Sequence, residues 1–191
     1  YLHTFNDATS EIGAKWAALY TGIFRANQVI EGLEGIKSKC TSENDIKKWQ
    51  LIMGQARFFR GLFHFYLNTS FNKGNIPILD IVPKNESEFF IPCSSSGKVK
   101  EFYRIELEYA ESILPVKGAT EGSTREDWLS KNGDLGRVTS GAASAVLGMS
   151  YLYDSEYAKA KEYFQKIVDN TSYRLADCAD NFTTQNEFNS E

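Results

Sequence analysis

The segment Gly54-Gln-Ala-Arg57-Phe-Phe-Arg60-Gly-Leu-Phe-His-Phe-Tyr-Leu67 constrains the fold of this chain more than any other. Seven of its last ten residues are Phe, Tyr or Leu, so a helix here is apolar nearly all round and is expected to be buried. Arg57 and Arg60 lie three apart within it. Buried guanidinium groups need partners, so the two arginines read as structural, tied to carboxylates or helix-end carbonyls elsewhere, with direct contact to a ligand as the alternative. Seven residues after Leu67, Gly74-Asn-Ile-Pro77 closes the segment with a turn.

Helical periodicity extends around this segment. From Ile12, the positions Trp16, Leu19, Ile23, Ala26, Ile30 and Leu33 recur at spacings of four and three, the pattern of an amphipathic helix. Asp7, Thr9 or Ser10 can cap its start, and Gly32 with Gly35 is expected to end it. Ser42-x-x-Asp45 resembles a capping box and opens a second helix through Trp49, Met53 and Ala56 to about Ser70, antiparallel to the first. Trp16 and Trp49 fall on the apolar stripes and are expected in the core. Pro77, Pro83, Pro92 and Ser94-Ser-Ser-Gly97 make 71–97 an extended connection. A third helix fits 98–113 and stops before Pro115. Residues 116–136 read as a polar surface loop whose large apolar residue is Trp128.

The last pair of helices, over 138–169, carries a repeat signature. Leu147, Gly148, Tyr151, Ala160 and Phe164 occupy tetratricopeptide positions where small residues let two helices approach and large ones fill the groove between them, with Asp154-Ser155 as the turn. Together with the pair over 12–70, this predicts an all-α chain: one domain of antiparallel, tetratricopeptide-like helical hairpins with long irregular loops. After Asn170 the chain becomes polar and irregular.

Composition excludes several functions. Twenty-one Lys and Arg against 25 Asp and Glu, without a basic run, leave no electrostatic footprint for nucleic acid or an anionic bilayer. Cys40, Cys93 and Cys178 have neither metal-ligand spacing nor the density of a disulfide framework, although one bridge with one free thiol is open to them. The triplets at Asn68, Asn85, Asn170 and Asn181 fit the glycosylation pattern at a frequency expected by chance. His3 and His64 build no metal set or catalytic triad, and His64 reads as a core histidine. Gly118 to Arg125 lacks the Gly-Lys-Ser/Thr ending of a phosphate loop. Glu106 and Glu108 fall on different faces of one helix and read as a solvated face rather than a glycosidase pair. No cofactor is implied, and binding rather than catalysis is the function these residues point to.

The Gly54 to Pro77 segment resembles the SusD/RagB family of outer-membrane nutrient-binding lipoproteins from Bacteroidetes, whose hallmark reads roughly G-E-A-R-F-x-R-A, an aromatic run and a G-x-x-P turn. Trp16-x-x-Leu-Tyr20-x-x-Ile23-x-x-Ala26-Asn27 is similar to the family's opening helix. Phe102-Tyr-x-x-Ile-Glu-x-Glu-Tyr-Ala110-x-x-x-Leu-Pro115 is similar to its middle helix. Gly136-Arg137-x-Thr139-x-x-Ala142-Ala143 with Tyr151-Leu-Tyr153 and Tyr157-x-x-Ala160 is similar to its next helix pair, and Asn189-Ser-Glu191 to a late signature. Gln55 departs from the usual Glu and removes one expected partner of the arginines, while Cys93 stands where relatives often have Arg.

The resemblance implies a non-enzymatic, surface-exposed lipoprotein of the outer membrane that captures an oligosaccharide and passes it to a SusC-like TonB-dependent transporter. It also implies that residues 1–191 are an internal piece: a signal peptide and lipid-modified Cys would precede it, as the sole membrane attachment, and further chain would follow. Much of the ligand site would then come from loops. Sugars present apolar faces to aromatic rings and hydroxyls to amides and carboxylates. Trp128, which follows Asp127, is therefore a candidate contact, as are Asn6 and Asp7 in the aromatic lead-in from Tyr1; a loop anchor and a plain helix lead-in are the competing readings. The competing function is a helical-repeat adaptor that binds a peptide or protein in its groove.

Overall fold

The computed structural model describes residues 10–116, 137–171 and 173. These form five α-helices: α1 (Ser10–Ile36), α2 (Glu43–Ser70), α3 (Ser96–Ile113), α4 (Ser140–Tyr153) and α5 (Tyr157–Val168). Each packs chiefly on its neighbours in sequence, α1 on α2, α2 on α3, α3 on α4 and α4 on α5. This is the expected all-α, tetratricopeptide-like stack of antiparallel hairpins. Among the described residues, strand-type pairing is an isolated antiparallel bridge between Ile76 and Ser94.

Local chemistry sets the helix ends. At the start of α2, Ser42 Oγ accepts the Asp45 N–H at 3.0 Å and donates to the Asp45 carboxylate at 2.7 Å. The carboxylate thus holds the cap's hydroxyl, a variant of the reciprocal capping box. α1 runs past Gly32 and ends at Ile36, one residue beyond Gly35, where the chain tightens into a 3₁₀ turn at Lys37–Lys39. α3 begins two residues before the expected 98 because its cap comes from elsewhere: Asn75 Oδ1 accepts the Ser96 N–H at 3.0 Å. In the last hairpin, Ser155 takes a positive φ of 60° to reverse the chain. A Cβ on Gly148 would lie 2.5 Å from the Phe164 ring, so glycine permits the close approach of α4 and α5.

Two burial expectations are corrected. α2 is not apolar-buried all round, since Phe59 and Tyr66 are exposed on its outer side. Trp16 and Trp49 are half-buried rather than core. Trp16 packs its ring against Tyr20 and Phe71, and Trp49 donates its indole N–H to Leu33 O at 2.7 Å. The core proper is made where α2 meets α3 and α4, by residues such as Phe65, Leu67, Tyr103, Leu107 and Leu147.

The connector between α2 and α3 is extended, as its prolines predict, and it is tied down. Ile76 is fully buried. Gly74 has a φ of +86°, a conformation side chains rarely adopt. Asn68 donates from Nδ2 to Gly74 O at 2.8 Å and to Ser96 Oγ at 3.1 Å, which makes this buried asparagine part of the turn. The free thiols of Cys40 and Cys93 are both described; Cys178, His3, the 117–136 stretch and the chain after Tyr173 lie outside the described residues.

Candidate functional site

Arg57 and Arg60 sit one turn apart on α2, and that spacing aims both at α3. Their partner is Glu106. Arg57 donates from Nε to Glu106 Oε2 at 3.1 Å and from Nη2 to Oε1 at 2.7 Å, a bidentate pair. Arg60 Nε reaches Glu106 Oε2 at 2.9 Å, and Arg60 Nη2 lies 2.8 Å from the same oxygen. Glu106, expected on a solvated face, is instead the buried carboxylate of the protein's central ion cluster, at 3% exposure. The correction has a clear cause. Position 106 falls among Val99, Tyr103, Leu107 and Ala110, the stripe of α3 that faces α2, and a charge there is affordable only because two guanidinium groups meet it.

One carboxylate for two arginines leaves donors over. Arg60 Nη1 spends its hydrogens on Asn27 Oδ1 at 3.0 Å and on Asp80 O at 3.3 Å. Asn27 in turn donates from Nδ2 to Leu79 O at 3.0 Å and to Ile81 O at 2.9 Å. The cluster therefore links α1, α2, α3 and the connector, with Arg57 additionally stacked 3.9 Å from the centre of the Tyr109 ring. Arg60 is buried and Arg57 half-buried. Both are spent on protein partners, as the structural reading of the pair expects. Gln55, where the family hallmark has Glu, stands apart from the cluster and accepts from Arg137 Nη1 at 3.3 Å.

His64, one turn beyond Arg60, extends the network. Its Nδ1 lies 2.8 Å from Arg60 O and its Nε2 accepts the Leu79 N–H at 3.3 Å. Burial pushes this imidazole down to about 4, the Arg60 guanidinium acting in the same direction, so the ring is neutral at physiological pH. It is the core histidine the sequence suggests.

By fixing residues 79–81, the cluster shapes the surface above. The connector and α1 enclose an aromatic cleft of about 430 Å³, walled by Trp16, Tyr20, Phe24, Pro77, Leu79 and Phe89. Tyr20 donates its hydroxyl to Pro77 O at 2.8 Å, and burial, then the nearby Cys93, raises its pKa above the phenol range. Phe89 and its neighbour Phe90 are 65% and 77% exposed, so the rim offers flat apolar rings to solvent. A second apolar groove, between α1 and α2, is lined by Arg25, Val29, Ile52, Phe59 and Phe63, the last two with rings stacked 5.8 Å apart. A third cleft, around Arg104, is polar and its charged groups pair with one another: Arg104 Nη2 donates to Asp154 at 2.6 Å and its Nε to Ser150 Oγ at 2.8 Å, and Lys100 pairs with the same Asp154.

The candidate contacts Trp128, Asn6 and Asp7 lie outside the described residues, so the structure brings none of them to these clefts. What sequence reasoning missed is Glu106, Asn27 and the aromatic wall of the cleft. Glu106 and Asn27 had a usable signal, a charged or amide residue on an otherwise apolar helical stripe. The cleft had none, because it depends on where the connector lies. Among the described residues no group of His, Cys, Asp or Glu is arranged to hold a metal ion, and no helix is long and apolar enough to cross a membrane.

Comparison with known proteins gives this arrangement a family. No curated protein matches the chain. Solved structures do. A laminarin-binding SusD-like protein is 26% identical with a TM-score of 0.71, over 93% of this chain and 36% of its own. Surface glycan-binding protein A from Bacteroides uniformis is 28% identical with a TM-score of 0.72, over 92% of this chain and 36% of its own. A SusD homologue from Bacteroides thetaiotaomicron is 29% identical with a TM-score of 0.73, over 90% and 32%. The chain thus spans about a third of the length of these structures. A SusD-like family profile, described as starch-binding and associating with the outer membrane, matches residues 2–121, well over half of the sequence. With the Arg57–Arg60–Glu106 cluster built on the hallmark segment, the chain belongs to the SusD-like family.

Proposed function

We propose that this chain is the helical part of a cell-surface glycan-binding protein of the outer membrane, which captures an oligosaccharide and passes it to a SusC-like TonB-dependent transporter without chemistry of its own. The observation that carries this reading is family membership together with a fold shared, at more than 25% identity, with a laminarin-binding and a surface glycan-binding protein. The described residues support it in kind: the cleft between the connector and α1 is walled by aromatic rings, and the Arg57–Arg60–Glu106 cluster is paired within the protein. In this reading Trp128, Asn6 and Asp7 contact the sugar, and the membrane is reached through a lipid anchor N-terminal to Tyr1.

The test is calorimetry of the full-length protein against plant, host and microbial glycans, with Trp128→Ala as control. Affinity in the tens of micromolar or weaker is expected, because sugar hydroxyls exchange water hydrogen bonds for protein ones at little net gain. Turnover of any glycan would overturn the non-enzymatic reading. Co-purification with a TonB-dependent transporter from outer membranes tests the hand-off. The adaptor reading rests on the apolar α1/α2 groove, which suits a peptide helix; silence across the glycan panel with tight peptide binding would favour it.

A further inference from the structure

The connector crosses α2 directly above His64, and the two ring nitrogens are committed in opposite senses. Arg60 O offers no hydrogen, so Nδ1 must carry the proton that bonds it at 2.8 Å. Nε2 therefore holds the lone pair that receives the Leu79 N–H at 3.3 Å. A second proton can go only to Nε2, where it would point at another donor. The ring is fully buried, with the Phe102 ring meeting it edge-on at 4.9 Å between centroids, so water cannot solvate the imidazolium.

The surrounding charges do not compensate. From its own helix His64 faces Arg60, with Arg57 beyond. From α3 comes Glu106, whose two oxygens are already taken by those arginines. The connector supplies Asp80, an exposed carboxylate that attracts the proton only from solvent. α1 contributes the neutral Asn27, itself bonded to Arg60. A proton on His64 thus adds a third cation to a cluster with one buried carboxylate.

We propose that the His64–Leu79 contact is an acid-released latch: protonation of Nε2 lifts residues 77–81 off α2 and reshapes the aromatic cleft between the connector and α1, while the helices stay packed. The opening is local because few bonds hold this stretch. They are His64 to Leu79, Asn27 to Leu79 and Ile81, Arg60 to Asp80 and Tyr20 to Pro77, and all but the last belong to the cluster that the new charge disturbs. Pro77 and Leu79 form one wall of the cleft, so its shape follows the latch. The closed contact holds the imidazole down to about 4, below its ordinary 6.5, so a state that exposes Nε2 binds the proton more tightly. The latch is intact at neutral pH, and the open fraction rises as pH falls toward about 4.

The experiment is hydrogen–deuterium exchange of the full chain between about pH 7.5 and 4, corrected for the intrinsic pH dependence of amide exchange, with far-UV circular dichroism alongside. The expected result is loss of protection in peptides covering 77–82 as pH falls below about 6.5, with helical signal retained. His64→Gln, whose amide oxygen can still accept from Leu79 but does not titrate, should abolish the response. Connector exchange that is flat with pH, or that rises together with every helix, or that responds equally in His64→Gln, would overturn the latch. If His64→Gln does not fold, the imidazole carbon shifts of the two histidines in the wild-type chain decide. A His64 titration that tracks connector opening supports the latch, and one that proceeds with no change in exchange refutes it.

Discussion

Glu106→Gln isolates the charge of the central cluster while keeping its shape. The carboxylate takes three donor hydrogen bonds between 2.7 and 3.1 Å from Arg57 and Arg60, and Arg60 Nη2 lies 2.8 Å away as well. An amide has one acceptor oxygen, so its NH₂ must face Arg57 Nη2 in one orientation, or Arg57 Nε together with Arg60 in the other, donor against donor. The side chains of Glu106 and Arg60 are 4% and 9% exposed, which leaves water little room to replace the lost ion; Arg57, at 21%, retains some access. The loss should therefore sit in the range for breaking a buried pair, about 3–5 kcal/mol. Urea unfolding followed by far-UV circular dichroism, extrapolated linearly, measures it. The same asymmetry in exposure makes Arg60→Ala more costly than Arg57→Ala. A loss below about 1 kcal/mol, the scale of a surface pair, would refute the claim that the cluster is desolvated. Combining Glu106→Gln with Arg60→Met adds a second check. Relief of the first loss by the second substitution is expected if the two groups act as a unit, and simple additivity would contradict that.

Three further outcomes are expected. Gly74→Ala should cost about 1–3 kcal/mol in chemical denaturation, since it places a side chain at positive φ and its Cβ against Ser96 Oγ and Asn68 Nδ2. Gly148→Ala should lower stability by about 1–3 kcal/mol through overpacking on Phe164, and Phe164→Leu in the same chain should recover part of it, both read from the urea midpoint. Burial opposes ionisation of Asp154, but Lys100 and Arg104 overcome it and hold the carboxyl below its usual range. Its folded pKa being depressed, the contribution is fully present at neutral pH and is lost progressively as pH falls from the usual 3.8 through the lower folded value, so Asp154→Asn should destabilise at pH 7 and progressively less as pH falls below about 3.8.

The helices were legible because their signals are local. The 3–4 spacing of α1, the Ser42–Asp45 cap and the Gly148–Phe164 complementarity all act within one element or one hairpin, and the structure reproduces them. The errors came where an answer lay in another element. Gly32 lies inside α1, where a glycine costs only its helix propensity, and the helix ends one residue past Gly35. The early start of α3 depends on Asn75, twenty-one residues upstream. Glu106 lies on the apolar stripe of α3, and its partners are 46 and 49 residues away in sequence, beyond the reach of any local signal. The arginines announced a buried carboxylate, but pairing them required knowing that α3 packs on α2. The proposed sugar contacts Trp128, Asn6 and Asp7 rest on residue chemistry alone.

The ion cluster also sets the size of the unit that can be buried without a bare charge. Hairpins stacked in sequence can in general form one after another as the chain emerges, each resting on the last. Here Arg57 and Arg60 aim at α3, so in a hairpin of α1 and α2 alone they would stand open to water, with Asn27 Oδ1 and Asp80 O as the contacts of Arg60. Glu106 emerges 46 residues after Arg60. The smallest stretch of this chain that encloses the arginine pair together with its counter-charge is therefore α1 through α3.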